Sequence, residues 1–414
     1  MNILVLNCGS SSLKFQIIQT DAELAKCDSD CRLAKGLIER IGGESTISLQ
    51  VIGKESVKDA LPLPDHHVAL QYILKWIVAP ETQIPGITSL KDIHAVGHRI
   101  LNGGEKFINT MIITDEVYHG IEECIDLAPL HNPANLKGVA AAREAFGPDV
   151  PNVAVFDTAF HATMPEESYL YAIPYEWYQK YKLRRYGAHG TSHRFVTLRY
   201  QQIAGKSSAE TNIITMHLGN GCSSCAVKHG VSYDTSMGLS PLEGMVMGTR
   251  SGDIDPAVLT FLSHKEPMSM DDFDTLLNKK SGLLGISGFT NDMRDLEDAA
   301  EKQNKRAILA INLFVHRIKK YLGAYLAEMN GADAIVFTGG IGENSSYIRQ
   351  HVCANLEQLG IEIDDKLNVG TIRGKEGTIS SSKSKIKVYV IPTNEELLIA
   401  RDTLYCVMEE ELVK

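Results

Sequence analysis

A polar turn near the start of the chain carries residues suited to binding a polyanion. The stretch Asn7-Cys8-Gly9-Ser10-Ser11-Ser12-Leu13-Lys14 lies between apolar runs at 3–6 and 15–18, a pattern that predicts a strand, a turn and a second strand. Gly and Ser expose backbone N–H groups with little side-chain bulk, and N–H groups together with a Lys ammonium favour phosphate oxygens. An ordinary Ser-rich hairpin is the alternative, and this turn alone leaves both interpretations open.

Gly-rich turns follow three predicted strands, at Gly9, at 219–221 and at 339–342. A single turn of this kind is more often structural. Three in one chain, two of them beside hydroxyls or amides, favour a nucleotide held between two halves of the protein. The last turn opens a helix, whose N-terminus could also take a phosphate or a ribose.

Two arginines, Arg99 and Arg250, each lie in a loop that contains Gly and small polar residues. Two Arg side chains that converge on one site can clamp a transferring phosphoryl group. A structural salt bridge is the alternative for either residue alone. The sequence does not show whether the two side chains meet.

Other candidate chemical groups lie at predicted strand ends, in loops or at a helix start. They are Asp157, His131, His189, His217 and Glu395. In open α/β sheets, ligands gather at the carboxyl ends of the strands, where Asp157 stands. The histidines could equally be structural hydrogen-bond formers, and Glu395 could simply face the dipole of the last helix.

Spacing argues against several familiar sites. Gly205-Lys206-Ser207 resembles half of a P-loop but follows a helix, and no G-x-G-x-x-G motif opens a helix after a strand. His189 and His193 are four residues apart, but the Glu of a zincin helix is missing. Cys222 and Cys225 form a single C-x-x-C without a second pair, so burial on a strand is preferred over zinc binding or redox chemistry.

Composition limits the class of protein. The chain has 414 residues, 44% of them hydrophobic and 22% charged, which is typical of a globular protein with two or three domains. A net charge of −10 argues against a general binder of nucleic acid or of an anionic membrane surface. No apolar run of 18 residues is present, and the first residues lack a basic n-region, so a cytoplasmic protein without a signal peptide is expected.

Strand and helix patterns alternate along the chain. Helices are predicted at 66–78, capped by Asp65, at 114–127, at 132–146 with Asn132 as cap, after a loop at 184–192, and at 305–330. The chain also contains an internal repeat. Asn2 and Asn212 both begin an apolar strand, and Gly9 and Gly219 each follow seven residues later. This repeat predicts a duplicated α/β unit.

Taken together, these residues resemble the acetate and propionate kinase family. The matching segments are Asn7–Phe15, Pro129–Pro133, Phe156–His161, His189–His193, His217–Gly221, Met237–Ser251, Gly340–Asn344 and Pro392–Glu396. They are colinear over nearly the whole chain. The resemblance implies two duplicated α/β domains of the actin/hexokinase/Hsp70-like (ASKHA) fold with an interdomain active-site cleft. It places residues 1–160 plus 397–414 in the first domain and residues 161–396 in the nucleotide-binding second domain.

The resemblance also implies a role for each matching position. Asp157, His189 and Arg250 would be catalytic. Arg99, Leu101, Leu130, His131, Ala188 and Pro241 would bind the acid. Ser10, Ser12, Lys14, His217, Leu218, Gly219, Asn220, Gly221, Asp292, Met293, Arg294, Gly340, Ile341, Gly342, Glu343 and Asn344 would bind the nucleotide. Asn7 and Glu395 would hold Mg²⁺, with Mn²⁺ as an alternative.

The implied activity is reversible phosphoryl transfer from ATP to a short carboxylic acid by a homodimer. A carboxylate is already ionised at neutral pH, so Asp157 is expected to orient Arg or metal-bound water and not to act as a base. Ala188 and Asn102 stand where the family usually has Phe and His, and Leu101 where it usually has Val. These departures raise the alternative of a propionate or butyrate kinase with an enlarged acyl pocket. A non-catalytic actin-like nucleotide switch is a further alternative, which the intact charged positions disfavour.

Overall fold

The structure, a computed structural model, describes residues 1–413, with side chains up to Glu409. The chain forms two compact units. The first comprises Met1–Ala159 and the segment that begins at Asn394, and the second comprises Phe160–Thr393. No helix within residues 1–413 is long and apolar enough to cross a membrane.

The first unit contains a mixed sheet of eight strands. They are β1 (Asn2–Gly9), β2 (Ser12–Gln19), β3 (Cys31–Glu39), β4 (Gly43–Val51), β5 (Val57–Leu63), β6 (Ala95–Ile100), β7 (Met111–Ile112) and β8 (Asn152–Phe156). The strand order is β5-β4-β3-β2-β1-β6-β8-β7. Strands β1, β6 and β8 are parallel neighbours, whereas β1 to β5 form an antiparallel meander.

The second unit contains a mixed sheet of six strands. They are β9 (Ile213–Leu218), β10 (Cys222–Lys228), β11 (Val231–Thr235), β12 (Ala334–Thr338), β13 (Gly377–Thr378) and β14 (Lys387–Val390). The strand order is β11-β10-β9-β12-β14-β13. Cys222 and Cys225 are buried on β10, as predicted. Because successive residues of a strand alternate between its faces and the two cysteines are an odd number of positions apart, their side chains point to opposite faces of the sheet.

The two sheets share one topology. The order β3-β2-β1-β6-β8 in the first unit corresponds to β11-β10-β9-β12-β14 in the second. Each run has two antiparallel pairings followed by two parallel pairings. The predicted duplicated α/β architecture is therefore confirmed.

Sixteen helices accompany the sheets in the described residues. They are α1 (Ala22–Lys26), α2 (His66–Val78), α3 (Asp115–Glu123), α4 (Asn132–Phe146), α5 (Glu166–Tyr169), α6 (Tyr175–Tyr181), α7 (Gly190–Ala204), α8 (Ala257–Ser263), α9 (Met270–Lys279), α10 (Gly282–Ser287), α11 (Met293–Glu301), α12 (Lys305–Glu328), α13 (Gly339–Asn344), α14 (Ser346–Cys353), α15 (Asp365–Gly370) and α16 (Glu395–Val413).

Apolar packing on both faces of the first sheet keeps the ends of its parallel strands in place. Helix α4 lies against β1 and β6, and α16 lies against β1, β6 and β8. Ile399 and Leu404 of α16 pack with Ile3, Val5 and Val155 in one buried cluster. All five residues of β8 are buried, as expected for a parallel strand covered on both faces.

The structure corrects three details of the predicted helix boundaries and caps. The helix predicted at 114–127 ends at Glu123, and a 3-10 turn follows because the Cys124 N–H bonds to the Ile121 carbonyl. Helix α7 begins inside the loop predicted at 184–192, because His189 turns the chain with a φ of 56°. Asp65 caps α2 as predicted.

The third correction concerns Asn132, which was predicted to cap α4. The capping position is His131, and Asn132 is the first helical residue. The Asn132 amide instead donates to the carbonyl of Asn102, at 2.9 Å, and is fully buried.

Candidate active site

Arg99 lies near the carboxyl end of β6, and Asp157 directly follows the parallel strand β8 of the first unit. Arg99 Nη2 donates to Asp157 Oδ2 at 2.7 Å, and the Asp157 side chain is 0% exposed. The Nε–H of Arg99 is buried without a hydrogen-bond partner in the described residues. A buried donor without a partner is costly, so this N–H is a candidate to bind an anionic ligand.

Carboxylates from the start of α16 lie in the same electrostatic cluster. Burial, together with the neighbouring Asp157 and Glu396 carboxylates, raises the pKa of Glu395 to about 7 against the opposing effect of Arg99 and Lys14. Lys14 forms an ion pair with Glu396. The Lys14 ammonium, predicted to face phosphates, therefore has a protein carboxylate as its partner.

Asn7 and Glu395 carry groups that suit a hard divalent cation. Mg²⁺ prefers carboxylate and amide oxygens and keeps several waters, and Asn7 and Glu395 offer one oxygen donor group of each kind. Among the side chains that the structure describes, no three of His, Cys, Asp or Glu group closely enough to hold a metal ion. A cation on Asn7 and Glu395 would therefore take its remaining ligands from water and phosphate.

Helix α4 ties the hairpin formed by β1 and β2 to the strand that carries Arg99. The Asn135 amide donates to the carbonyl of Cys8 at 2.6 Å, and its oxygen accepts the N–H of Leu101 at 3.0 Å. The same side chain thus connects the end of β1 with the residue that follows β6. On the hairpin itself, Asn7 is half-buried, Ser10 is exposed and Ser12 is half-buried.

The predicted acyl-pocket residues of the first unit differ in their exposure. Leu101 is 4% exposed, whereas Leu130 is 51% exposed and His131 is half-buried. Asn102 is buried, and its oxygen accepts the N–H of Gly104 at 2.8 Å. The Asn102 side chain is therefore used to hold its own loop.

In the second unit, the side chains of His189 and Arg250 both lie beside Gly221. A Cβ atom added to Gly221 would lie 3.4 Å from His189 Nε2 and 3.6 Å from Arg250 Nη1. The imidazole and the guanidinium are thus brought to one place, although the residues are far apart in the chain. The remaining imidazole nitrogen of His189, Nδ1, lies 2.9 Å from Ser223 Oγ.

Arg250 has an unusual environment for a cation. Its Nη1 donates to the Pro241 carbonyl at 3.0 Å, and no carboxylate of the described residues pairs with it. Burial lowers the pKa of Arg250 for this reason. A buried guanidinium without a counter-charge is suited to an anionic ligand.

The predicted acyl-pocket residues of this unit adjoin these groups. Ala188 directly precedes His189 and is 1% exposed, and its carbonyl lies 3.1 Å from His161 Nε2. Pro241 is half-buried, and its carbonyl holds Arg250.

A cavity in this unit, of about 610 Å³, is lined by residues from three of the segments predicted to bind the nucleotide. Its lining residues are Gly219, Asn220, Asn291, Asp292, Met293, Arg294, Glu297, Gly340, Ile341, Asn344 and Ser345. The N-cap Asp292 accepts the N–H of Arg294 at 2.9 Å and pairs with its guanidinium. The volume and the mixed polar lining suit a nucleotide.

Other residues predicted to bind the nucleotide do not line this cavity. His217 stacks on His189 with ring centroids 4.2 Å apart, and Leu218 is buried in β9. Gly221 lies beside His189, as described above, and Gly342 is buried in α13. Glu343 Oε1 accepts the N–H groups of Gly339 and Thr393, at 3.0 and 3.1 Å, and so connects the ends of β12 and β14.

Sequence reasoning overlooked several residues of these sites. Ser223 and Thr215 contact His193, which was considered only as a partner of His189 in metal binding. Asn291 donates to Asn220 at 2.8 Å in the cavity wall, and Glu396 pairs with Lys14. Asn291 and Glu396 are next in sequence to residues that were predicted to be in the site, so their positions in the sequence could have indicated them. Ser223 and Thr215 lie inside strands, and no sequence feature distinguishes them from other strand residues.

Comparison with known proteins agrees with these features. The model of the Acetokinase family matches residues 2–401. The acetate kinase of Chloroherpeton thalassium is 57% identical over 417 residues, which cover 99% of this chain and 100% of that protein.

Solved structures are similar over almost the same length. The structure of Porphyromonas gingivalis acetate kinase has a TM-score of 0.91 and 47% identity, covering 98% of this chain and 99% of that one. A propionate kinase from Francisella tularensis has a TM-score of 0.89 and 42% identity, with the same coverage. With its matching motifs, duplicated fold and full-length relatives, the chain belongs to the acetokinase family.

Proposed function

We propose that this protein is an ATP-dependent acetate kinase that converts acetate and ATP to acetyl phosphate and ADP, reversibly and by direct in-line transfer. The observation that carries this proposal is that His189 Nε2 and the Arg250 guanidinium, which no described carboxylate pairs, both lie within 4 Å of one point beside Gly221. Both groups can face the oxygens of a transferring phosphoryl group. Membership of the acetokinase family supports the same reaction.

Each polar residue has a separate task in this mechanism. The acetate carboxylate needs no base, because it is ionised at neutral pH and attacks the γ-phosphorus directly. Arg99 binds the carboxylate through donors that include its buried Nε–H, and Asp157 holds Arg99 in position at 2.7 Å. Arg250 and His189 stabilise the charge on the transferring phosphoryl group.

The nucleotide occupies the 610 Å³ cavity in this proposal, with Asp292–Arg294 and Gly340–Asn344 at its walls. Asn7 and Glu395 would hold Mg²⁺, for which Mn²⁺ is an alternative. A bound cation would neutralise phosphate charge and align the polyphosphate chain. The protein is proposed to act as a homodimer, in agreement with the family resemblance, and analytical ultracentrifugation would test this.

Acetate is the proposed acid, and propionate is the second candidate. Ala188 leaves more room than the Phe usual in the family. However, Ala188 and Leu101 are each less than 5% exposed, so neither side chain borders open space that a longer acyl chain could enter. This burial supports acetate over propionate and butyrate.

Hydroxylamine trapping of the acyl phosphate tests the proposal. The purified protein is incubated with ATP, Mg²⁺ and acetate, propionate or butyrate, and kcat/KM is measured for each acid. The expected order is acetate, then propionate, then butyrate. A higher kcat/KM for propionate would favour the second candidate, whereas nucleotide binding without any acyl phosphate would indicate a non-catalytic switch.

A further inference from the structure

We infer that Thr215, His193 and Ser223 form a hydrogen-bond relay that holds His189 in the neutral tautomer with its proton on Nε2. The inference deepens the proposed function, because it assigns His189 the role of a neutral hydrogen-bond donor to a phosphoryl oxygen. Thr215, His193 and Ser223 are positioning residues in this scheme.

The relay is a continuous chain of short contacts. Thr215 Oγ1 lies 2.7 Å from His193 Nδ1, and His193 Nε2 lies 2.8 Å from Ser223 Oγ. Ser223 Oγ lies 2.9 Å from His189 Nδ1. Thr215, His193 and Ser223 are each 0% exposed, so water does not compete for these contacts.

The hydroxyl of Thr215 determines which group donates in each hydrogen bond of the relay. His193 Nδ1 is the side-chain partner of this hydroxyl in the described residues. If Thr215 donates, the polar hydrogens of Thr215, His193 and Ser223 each have an acceptor within the relay. If the direction is reversed, the Thr215 O–H is a buried donor without an acceptor, which is unfavourable.

When Thr215 is the donor, the proton positions on both imidazoles are determined. Thr215 donates to His193 Nδ1, so neutral His193 carries its proton on Nε2 and donates to Ser223 Oγ. The Ser223 hydroxyl then donates to His189 Nδ1, which leaves the His189 proton on Nε2. Nε2 is the nitrogen that faces Gly221 beside Arg250.

The surroundings favour neutral rings. Burial lowers the pKa of His193 well below its usual value, and nearby His161 and His217 act in the same direction. The groups that face His189 include Ser223, the stacked His217 ring and, beside Gly221, the Arg250 guanidinium. A second positive charge on His189 would be repelled by Arg250.

Nitrogen-15 NMR of the full-length protein, with labelled histidine, tests the inference directly. A His189→Asn variant identifies the His189 signals by their disappearance. At pH 7 and without nucleotide, we expect the pattern of a neutral ring protonated on Nε2. A neutral ring protonated on Nδ1, or a doubly protonated ring, would overturn the inference.

Three variants connect the tautomer to catalysis. Ser223→Ala and Thr215→Val remove hydroxyls of the relay, and we expect a mixture of His189 tautomers with kcat lowered by roughly 10- to 100-fold. The KM values for acetate and ATP should change little. Thr215→Ser keeps the hydroxyl and should restore both the tautomer and kcat.

The outcomes separate this inference from the proposed function. If Ser223→Ala and Thr215→Val fold normally and keep both the Nε2–H tautomer and the wild-type kcat, the relay is disproved. If the wild-type protein forms no acyl phosphate, the proposed function fails, while the NMR measurement still decides the tautomer.

Discussion

Arg99 Nη2 and Asp157 Oδ2 form a buried ion pair at 2.7 Å between residues 58 positions apart in the chain. The pair joins the carboxyl ends of two adjacent parallel strands, β6 and β8. Arg250, the other arginine assigned to the reaction, has no such carboxylate in the described residues. The two arginines therefore differ in what each contributes to stability and what each contributes to ligand binding.

Replacing Asp157 by Asn should reduce activity strongly. The substitution keeps the shape of the side chain but removes the charge that holds Arg99, so we expect kcat/KM for acetate to fall by about 10²- to 10³-fold. The hydroxylamine assay with varied acetate and Mg²⁺ measures this. Full activity with unchanged Mg²⁺ dependence would disprove the orienting role of Asp157.

Arg99→Leu and Arg250→Leu should both abolish activity but differ in stability. Arg99→Leu leaves the buried Asp157 without its cation and should lower the free energy of unfolding by about 3–5 kcal/mol. Arg250→Leu removes a buried cation that lacks a counter-charge, so the free energy of unfolding should stay within about 1 kcal/mol of wild type. Urea denaturation at pH 7.5 compares the two variants. Equal destabilisation would contradict the assignment of a counter-charge to Arg99 alone.

Gly221→Ala should impair catalysis without unfolding the protein. The backbone of Gly221 is not in the left-handed region, but the added methyl group would lie 3.3 Å from His189 Cε1 and 3.6 Å from Arg250 Nη1. Displacing these groups should lower kcat by about 10- to 100-fold, with little change in Tm. Gly323→Ala, where the methyl group meets open space on α12, is the matched control and should keep full activity. A wild-type kcat for Gly221→Ala would show that this space is not used by the reactants.

His98 should make the protein sensitive to mild acid. Burial lowers its pKa from 6.5 to about 4, so between these values the unfolded chain binds a proton that the folded protein does not. The stabilisation from neutral His98 is present above pH 6.5 and is lost as the pH falls toward 4. At pH 5 this loss amounts to about 2 kcal/mol.

The His98→Gln variant tests this pH dependence. Urea denaturation at pH 8 and pH 5 should show a smaller acid-induced loss of stability in His98→Gln than in the wild type. The exposed His264→Gln variant should keep the wild-type difference between the two pH values. A His98→Gln protein as acid-sensitive as the wild type would contradict the prediction.

Much of the fold could be predicted because its signals are local. The alternation of buried and exposed residues, the cap at Asp65 and the Pro and Gly positions depend on near neighbours in the chain. Helix α2 was predicted with its observed bounds, and the repeated sequence pattern that begins at Asn2 and at Asn212 indicated the duplication. The errors fell at 114–127, at 184–192 and at the Asn132 cap. At the first two, a tight turn after Ile121 and the left-handed His189 override the local pattern, and at the third Asn132 is the first helical residue.

The identities of the chemical groups were readable from sequence motifs, because a family resemblance preserves residue types at each position. Their pairing was not readable. Whether Arg99 or Arg250 has a counter-charge, and which nitrogen of His189 faces Gly221, depend on contacts between residues 29 or more positions apart. Such contacts arise from strand pairing and helix packing, and no local periodicity encodes them. The sequence thus identified the family and its reactive groups, while folding in three dimensions set their charge partners and proton positions.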